Sequence, residues 1–456
     1  MTERRKLAIL LATLAVVLLS ALDGTATGTA MPRIVEQLHG EKVLTWVVTA
    51  YLLASTVTIP VYGRIADLHG RRIPLLTGLA LFLIGSALCG FARDMPQLIG
   101  FRVVQGLGAG ALMTVGMTLV RDLYPPDQST RLMRMQTLMA GVLVISFIGG
   151  PLEGGLLTDH LGWRWIFLVN LPIGIVAITM LAVLVPHHRP PDRDVGRFDI
   201  AGVLLLATGI SLVLVALNNS ASTAMLVVGV ALLVVFVFVE RRASVPVVPL
   251  RLFASRTYSA VTVAGLFFTV ATVPTGLFFG LYYQQVRGFS ATTSALMVVP
   301  LMAGMILGNR GTAMIVLRTG QVKGLLMAGA VLVAGASGML AMIESLPLTV
   351  AVVCAGLVGL GSAPAMGGIA IAAQMSVQRR DVGAATGGLN LVKQLGGSLG
   401  LAVGQTLFGG AATNGAGHAI GTTIAVVGVV GGVLAFVAVL AMENLDVLPA
   451  RTPQPA

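Results

Sequence analysis

The chain has 456 residues, of which 10% are charged and 56% are hydrophobic, and its formal net charge is +11. Soluble proteins carry about 25% charged residues, so this composition excludes a water-soluble surface, and its hydrophobicity excludes disorder. A polytopic membrane protein is the class that remains. The two cysteines, Cys89 and Cys354, lie in apolar stretches without metal-ligand spacing, so neither a metal site nor a disulfide framework is expected.

Apolar runs long enough to cross a bilayer as helices, about 20 residues each, recur along the chain. Internal Gly and Pro do not count against them, because membrane helices tolerate both. The first run is interpreted as a retained helix, since no convincing signal-peptide cleavage site follows it. We predict fourteen spans, at 7–30, 44–64, 73–91, 97–120, 133–156, 163–186, 199–217, 223–240, 258–284, 291–316, 323–342, 347–374, 383–411 and 418–441.

The basic residues indicate how these spans are oriented. With both termini in the cytoplasm, 21 of the 29 Lys and Arg residues fall on the cytoplasmic side and five on the outer side. The other three, Arg102, Arg310 and Lys393, lie within spans. Such a bias follows the positive-inside rule. The positive charge therefore sets the orientation of the chain in the membrane and favours contact with anionic lipid headgroups. Nucleic-acid binding is not expected.

Polar segments divide the spans into a 6+2+6 arrangement. The predicted parts are an N-terminal six-helix half at 1–186, a cytoplasmic linker at 187–198, a two-helix insertion with its following loop at 199–257, a C-terminal six-helix half at 258–444 and a cytoplasmic tail at 445–456. Two six-helix halves indicate an internal repeat. A weak echo supports it: the loops at 63–72 and 313–323 each place a turn glycine before a basic residue that begins the next helix.

Several stretches resemble the major facilitator superfamily, in its fourteen-helix drug:proton antiporter branch. The 63–72 loop and the Gly-Pro stretch at 149–155 are the most specific of them. The family usually has Asn where this chain has Gly28, and an apolar residue where it has Glu153. The matching stretches are 22–34, 63–72, 102–110, 149–155 continuing to 163–174, and 390–400.

Ionisable residues inside the bilayer are the candidates for proton coupling, because an unpaired charge is costly there. Sixteen of the eighteen acids lie in loops, in tails or at span ends, and only Asp23 and Glu153 lie in the interior of spans. Asp23 is about sixteen residues into the first span, about 24 Å from its inner end, and Arg102 has a similar depth in the fourth. These three residues are predicted to form one cluster. Asp23 is expected to be the principal proton carrier, and a fixed Asp23–Arg102 pair that braces two helices is the alternative.

Two segments are candidates for conformational gating. In the 63–72 loop, Gly70 permits a sharp turn, Asp67 is expected to bind helix N-terminal donors, and Arg71 and Arg72 are expected to reach Asp122 or lipid phosphate. In the fifth span, glycines four residues apart allow close helix approach and a proline permits a bend. The resemblance implies that the loop latches the two halves and that the Gly-Pro stretch marks exporters. The candidates are Gly63, Asp67, Gly70, Arg71, Arg72, Asp122, Gly150, Pro151 and Gly154.

A substrate patch is predicted in the thirteenth span, where Lys393 lies beside Asn390 and Gln394. A bracing or snorkelling lysine is the alternative. Arg310 in the tenth span is a gate or a snorkelling group, with a cavity role as the second interpretation. Glycine-rich runs at 106–110 and 356–361 mimic dinucleotide loops, but they lie inside spans and are interpreted as helix packing.

Together these features predict a proton-coupled secondary transporter, a monomer in a bacterial cytoplasmic membrane, that exports amphipathic drug-like molecules by alternating access. No cofactor is expected beyond the proton gradient. One alternative is the same machinery dedicated to an endogenous antibiotic, lipid or amino acid. An integral-membrane enzyme is disfavoured because no loop exceeds about 20 residues or carries paired acids. A channel leaves the 63–72 loop unexplained.

Overall fold

The computed structural model describes residues 3–40, 43–123, 129–186, 199–218, 223–243, 250–378, 382–411 and 415–443. These residues are almost entirely helical. Their helices are α1 Glu3–Leu38, α2 Leu44–His69, α3 Arg72–Gly90, α4 Met95–Leu123, α5 Ser129–His160, α6 Trp165–Leu168, α7 Asn170–Leu184, α8 Ile200–Asn218, α9 Thr223–Glu240, α10 Arg256–Gln285, α11 Ala291–Thr319, α12 Lys323–Met339, α13 Leu348–Met375, α14 Val382–Ala411 and α15 Ala416–Leu440.

The helices follow the fourteen predicted spans in order, with two differences. The sixth span is broken into α6 and α7, which meet at Val169. Several helices are also longer than their apolar runs; α1 covers 36 residues because polar residues at both ends continue the helix. Prolines lie inside several helices, which agrees with the tolerance expected of membrane helices. They include Pro32, Pro151, Pro274, Pro300 and Pro364.

Eleven helices in the described part of the chain are long and apolar enough to cross a membrane. The predicted spans outside this set, 133–156, 199–217 and 383–411, are helical but include residues whose side chains the structure does not describe. Large apolar side chains are exposed on many of the helices, Val183, Val227 and Leu307 among them. Such surfaces require a lipid environment, and the chain is therefore a multi-pass membrane protein.

The chain forms two compact units. Unit 1 comprises Met1–Val247 and Tyr283–Leu296. Within it α1 packs against α5 and α7, α4 packs against α2 and α3, and α8 packs against α9. Its largest apolar core includes Leu79, Phe82 and Val115. The two predicted insertion helices, α8 and α9, therefore group with unit 1.

Unit 2 comprises Val248–Tyr282 and Met297–Ala456. In this unit α12 packs against α13 and α15, and α14 packs against α13 and α15. Glycines permit close approach of backbones; at Gly359, for example, an added Cβ would collide with the carbonyl of Leu301. Its core includes Phe268, Val333 and Ile369.

The two units repeat one turn geometry. Gly70 follows α2 with φ 82°, and Gly320 follows α11 with φ 72°. Both values lie in the left-handed region that glycine adopts without strain. The next helices begin with Arg72 and Lys323, which is the spacing that the sequence echo predicts.

The same basic residues bind equivalent helix ends. Arg72 donates to the carbonyl of Ala182 near the end of α7, and Lys323 donates to Leu440 O at 3.2 Å and Met442 O at 2.6 Å at the end of α15. A cation at a helix C-terminus satisfies free carbonyls and opposes the helix dipole.

A second pair completes the pattern. Arg5, in the first turn of α1, donates to Leu184 O at 2.9 Å. Arg256, the first residue of α10, donates to Ala441 O at the same distance. The end of α7 in unit 1 and the end of α15 in unit 2 are thus each bound by two basic side chains, which supports the internal repeat.

Candidate functional site

Asp23 and Arg102 form a buried ion pair at the centre of unit 1. Arg102 Nη1 donates to Asp23 Oδ2 at 2.5 Å, and both side chains are inaccessible to water. Gln105, one turn after Arg102 on α4, donates from Nε2 to Asp23 Oδ1 at 2.9 Å. Both carboxylate oxygens therefore accept hydrogen bonds from α4, which ties α1 to α4.

A second layer of polar side chains, from α3 and α7, extends the hydrogen bonds around this carboxylate. Asn170 Nδ2 donates to Asp23 Oδ1 at 3.3 Å and to Ser86 Oγ at 3.0 Å. Gln105 Nε2 donates to the same hydroxyl at 2.7 Å. The network of Asp23, Arg102, Gln105, Ser86 and Asn170, termed here the Asp23 network, joins four helices.

The Arg102 guanidinium is held on its other side by α2. Its Nε donates to Val47 O at 3.2 Å, and its Cζ lies 4.1 Å from the centre of the Tyr51 ring. Stacking on an aromatic face stabilises a desolvated cation. Tyr51 is itself fixed by its hydroxyl, which donates to Ser20 O at 3.1 Å.

Burial makes the Asp23–Arg102 pair energetically sensitive. Two charges removed from water are tolerated because each is paired and hydrogen-bonded. Removing one partner leaves the other charged and buried, which costs about 3–5 kcal/mol. A carboxylate whose neutralisation changes stability this strongly can couple protonation to a change of structure.

Glu153 does not join this network. It is partly buried on α5, and no described residue forms a hydrogen bond or an ion pair with its carboxylate. Its electrostatic interaction is with the like charge of Asp23. The structure therefore brings Asp23 and Arg102 together and leaves Glu153 outside the hydrogen-bonded cluster.

The predicted gating glycines of α5 lie against α1. An added Cβ at Gly150 would collide with the Thr25 side chain, and one at Gly154 would collide with the Ala26 carbonyl. Thr29 Oγ1 donates to Pro151 O at 3.3 Å across the same interface. Close approach of α1 and α5 therefore depends on this Gly-Pro stretch.

Unit 2 has an equivalent interface between α10 and α14. An added Cβ at Gly396 would collide with the Leu266 carbonyl, and one at Gly400 would lie 2.5 Å from the Val270 carbonyl oxygen. Gly150 and Gly154 have the same four-residue spacing as Gly396 and Gly400. This correspondence was not predicted, although the spacing is visible in the sequence.

In the predicted 63–72 gate, the structure gives Arg72 a partner that the sequence did not predict. This side chain donates to the Ala182 carbonyl, because the end of α7 offers free carbonyls beside the start of α3. Gly63 is partly buried on α2, and Arg71 is partly buried before α3. The Asp67 and Asp122 side chains lie outside the described residues.

The predicted substrate residues of unit 2 are spread over different environments. Lys393 and Gln394 are partly buried, whereas Asn390 and Arg310 are exposed. Lys393 Nζ donates to Ala365 O on α13 at 3.2 Å. Among these residues, Lys393 is the one whose charge is directed between helices of its own unit.

Asp159, at the end of α5, has a role that the sequence analysis did not predict. Its Oδ1 accepts from Ala291 N at 3.0 Å and its Oδ2 accepts from Thr292 N at 2.8 Å, so it caps the N-terminus of α11. Burial raises the pKa of this carboxyl, but hydrogen bonds from Thr292, Ala291 and Ser290 outweigh burial and hold the pKa below its ordinary value.

Several network residues were also missed. Gln105 and Asn170 lie within stretches that carry the family resemblance, and Gln105 follows Arg102 by three residues, which places both on one helix face. Ser86 is one of two hydroxyl residues in the apolar α3, the other being Thr77, and the sequence has no signal that distinguishes it. Within the described residues, no group of three or more His, Cys, Asp or Glu could hold a metal ion.

A two-unit bundle of apolar helices with a buried ion pair defines a polytopic membrane transporter. Residues 13–401 match the Major Facilitator Superfamily, and the chain belongs to that family. The fold and the relatives described next indicate a transporter rather than an enzyme.

The similar proteins include multidrug and efflux transporters. The chain is 32% identical over 395 residues to the multidrug transporter protein MdtP of Bacillus subtilis (strain 168), an alignment that covers 84% of this chain and 71% of MdtP. It is 30% identical over 407 residues to the efflux pump FUS6 of Gibberella fujikuroi, covering 86% of this chain and 73% of FUS6. It spans 58% of multidrug resistance protein 3 of Bacillus subtilis, with 32% identity over 302 residues and 64% of this chain covered.

Solved transporters share the fold at low sequence identity. A POT family transporter crystallised with 5-aminolevulinic acid matches with a TM-score of 0.72 and 14% identity, over 94% of this chain and 95% of that one. A bacterial homologue of the human lysosomal transporter Spinster matches with a TM-score of 0.68 and 15% identity, over 97% of this chain and 98% of that one. These similarities show the fold alone.

Proposed function

We propose that the chain is a proton-coupled antiporter of the fourteen-helix drug:proton branch that exports amphipathic drug-like compounds. The observation that carries this proposal is the Asp23 network, in which a buried carboxylate and a buried guanidinium join α1 to α4. Protonation of Asp23 would leave Arg102 without its counter-charge and would favour a rearranged state. Relatives named as multidrug transporters and efflux pumps support the cargo class.

The remaining parts of the proposal follow from the same arrangement. Asp23 exchanges the proton, and Arg102 tunes or orients the Asp23 carboxylate. Glu153 supplies a second carboxylate that repels Asp23. The α1–α5 interface and the 63–72 loop change during alternating access. Each elementary charge that moves down a potential of 100 mV supplies about 2.3 kcal/mol, so one or two protons can drive accumulation without another energy source.

The proposed setting is a bacterial cytoplasmic membrane, with the termini in the cytoplasm and a monomer as the working form. The positive-inside distribution of the bases supports this orientation. The substrate cavity is proposed to include Lys393 and Gln394, with Asn390 and Arg310 at its exposed edges. The same machinery dedicated to a single endogenous product remains the second candidate.

Dye transport in proteoliposomes tests the proposal. With a proton gradient imposed, we expect the wild type to transport an amphipathic dye against its gradient and to stop when a protonophore is added. Asp23→Asn should abolish the driven component. Glu36→Gln is the matched control, because Glu36 is an exposed acid that pairs with Arg33 three residues away. Flux that ignores the proton gradient would contradict antiport and support a channel.

A further inference from the structure

Lys393 places a positive charge deep within unit 2. It lies eleven residues after the start of α14 at Val382, about 16 Å along the helix. Its side chain passes Gly265 of α10, where an added Cβ would lie 3.1 Å from Cγ. Its ammonium then reaches Ala365 O, ten residues before the end of α13. The charge therefore stays at mid-depth and does not extend toward a helix end.

The described part of unit 2 provides no carboxylate in a helix to pair with this ammonium. Residues 248–456 contain four acids. Glu344 and Glu443 lie beyond helix ends, and Asp381 and Asp446 lie outside the described residues. An ammonium has three donors, and the bond to Ala365 uses one of them. A charge at membrane depth is unfavourable unless it is paired or hydrated, so the site is suited to an anionic partner.

Helix packing does not require the charge. In unit 1, Thr25 Oγ1 donates to Ser146 O at 3.1 Å where α1 meets α5. In unit 2, Thr269 Oγ1 donates to Lys393 O at 2.6 Å where α10 meets α14. Both bonds lie beside the close-approach glycines of their unit, although Ser146 precedes Gly150 by four residues and Lys393 precedes Gly396 by three. Because each bond is accepted by a backbone carbonyl, the helix contact does not use the ammonium of Lys393.

A pair of hydroxyl groups lies one helical turn from this position. Thr272 Oγ1 and Ser362 Oγ are 2.6 Å apart and buried. Thr272 follows Thr269 by three residues on α10, and Ser362 precedes Ala365 by three residues on α13. The surroundings of Lys393 combine apolar core residues, Phe268 and Val358 among them, with few polar side chains, such as Asn390 and Gln394 on α14 itself. One cation in an apolar wall with few hydroxyls matches an apolar molecule that carries a single acidic group.

We infer that Lys393 binds a carboxylate on the transported molecule, so that the preferred cargo is an amphipathic acid. The transport role of this contact rests on the proposed function, whereas the binding itself does not. The inference gives one residue of unit 2 a recognition role that is separate from the Asp23 network.

Two acid/ester dye pairs test the inference: tetramethylrhodamine with its ethyl ester, and a coumarin carboxylic acid with its ethyl ester. Each pair differs only in the carboxylate. Binding is measured by fluorescence anisotropy on the full-length protein in detergent, and transport is measured in proteoliposomes. The variants are Lys393→Gln, Lys393→Arg and, as a matched control, Arg318→Gln, which removes an exposed base from α11.

We expect the wild type to bind each acid more tightly than its ester. Lys393→Gln should weaken acid binding by about tenfold, the effect expected when a charge-assisted hydrogen bond is lost, and should leave ester binding within about twofold. Lys393→Arg should retain the acid preference, and Arg318→Gln should match the wild type. The inference would be overturned if neither dye pair showed tighter binding of the acid than of the ester. It would also be overturned if Lys393→Gln weakened the binding of acid and ester equally. Acid binding that depends on Lys393, without proton-driven transport, would leave the inference standing and refute the proposed function.

Discussion

The interiors of the two units contain similar helix interfaces but different charges. In unit 1, Asp23 and Arg102 neutralise each other and are fixed by the amides of Gln105 and Asn170. In unit 2, Lys393 has one carbonyl partner among the described residues. The α1–α5 and α10–α14 interfaces share close-approach glycines, so the two units are similar in this part of the scaffold and differ in their charges.

This difference suggests a division of roles. A self-neutralised pair changes its energy when one member gains or loses a proton, which suits coupling. An ammonium that has no carboxylate partner among the described residues can obtain its counter-charge from a ligand, which suits recognition. The comparison can be tested by removing each charge alone, by removing the paired charges together, and by perturbing the scaffold that both units share.

The largest expected effect follows from charge removal in unit 1. Asp23→Asn leaves Arg102 buried without a counter-charge and should lower the free energy of unfolding by about 3–5 kcal/mol. The double variant Asp23→Asn/Arg102→Gln removes both charges, so it should recover most of that stability while proton-driven transport stays absent. Thermal unfolding in detergent and dye transport measure the two quantities. Driven transport in the stable double variant would refute the coupling role.

A smaller effect is expected from the close-approach glycines. Gly150→Ala and Gly396→Ala each place a methyl group against the neighbouring helix, and overpacking of this kind costs about 1–3 kcal/mol. Gly387→Ala is the control, since nothing lies within 4 Å of an added Cβ there. Similar losses at the first two positions would support an equivalent scaffold. A loss confined to one unit would show that the equivalence is superficial.

Much of this fold could be predicted from the sequence because apolar length and charge position are one-dimensional signals. The order of the spans and the repeated turn at Gly70 and Gly320 followed from them. The break at Val169 did not, because the run from 163 to 186 is continuously apolar enough to predict one helix. The partner of Arg72 also required the structure, since the carbonyl of Ala182 has no distinct signature in the sequence.

The candidate site was predicted only in part for a related reason. Asp23 and Arg102 stand out as charges in apolar spans. Ser86 and Asn170 are uncharged, and such residues are common in membrane helices as simple packing groups. Which of them reaches Asp23 depends on how four helices are rotated, and composition does not determine helix rotation.

The cap on α11 should contribute less than the glycine contacts. Asp159→Ala removes the acceptor for two backbone amides, which costs about 1 kcal/mol. Because the pKa of this carboxyl is lowered in the fold, its contribution is present above the ordinary carboxyl pKa of about 3.9. It is lost as the pH falls through the lower folded value. The difference in melting temperature between wild type and Asp159→Ala should therefore stay constant from about pH 5 to pH 8. A difference that shrinks within that range would contradict the assignment.

The smallest effects are expected at the repeated helix-end contacts. Arg72→Ala and Lys323→Ala each remove a cation from a helix C-terminus, worth about 0.3–1 kcal/mol. Since the two contacts are equivalent, the losses in thermal stability should agree within error. Arg318→Ala, which removes an exposed base, serves as the reference. A large loss from one variant alone would indicate a role for that residue beyond capping.

The central claim is that Asp23 couples proton movement to cargo movement, and cargo-induced proton flux tests it most directly. Proteoliposomes that contain a trapped pH-sensitive dye are given a cargo gradient without an imposed pH gradient. The wild type should move protons opposite to the cargo, and the stable variant Asp23→Asn/Arg102→Gln should move none. Proton movement of equal size in both proteins, or cargo movement by the wild type without proton movement, would contradict the account.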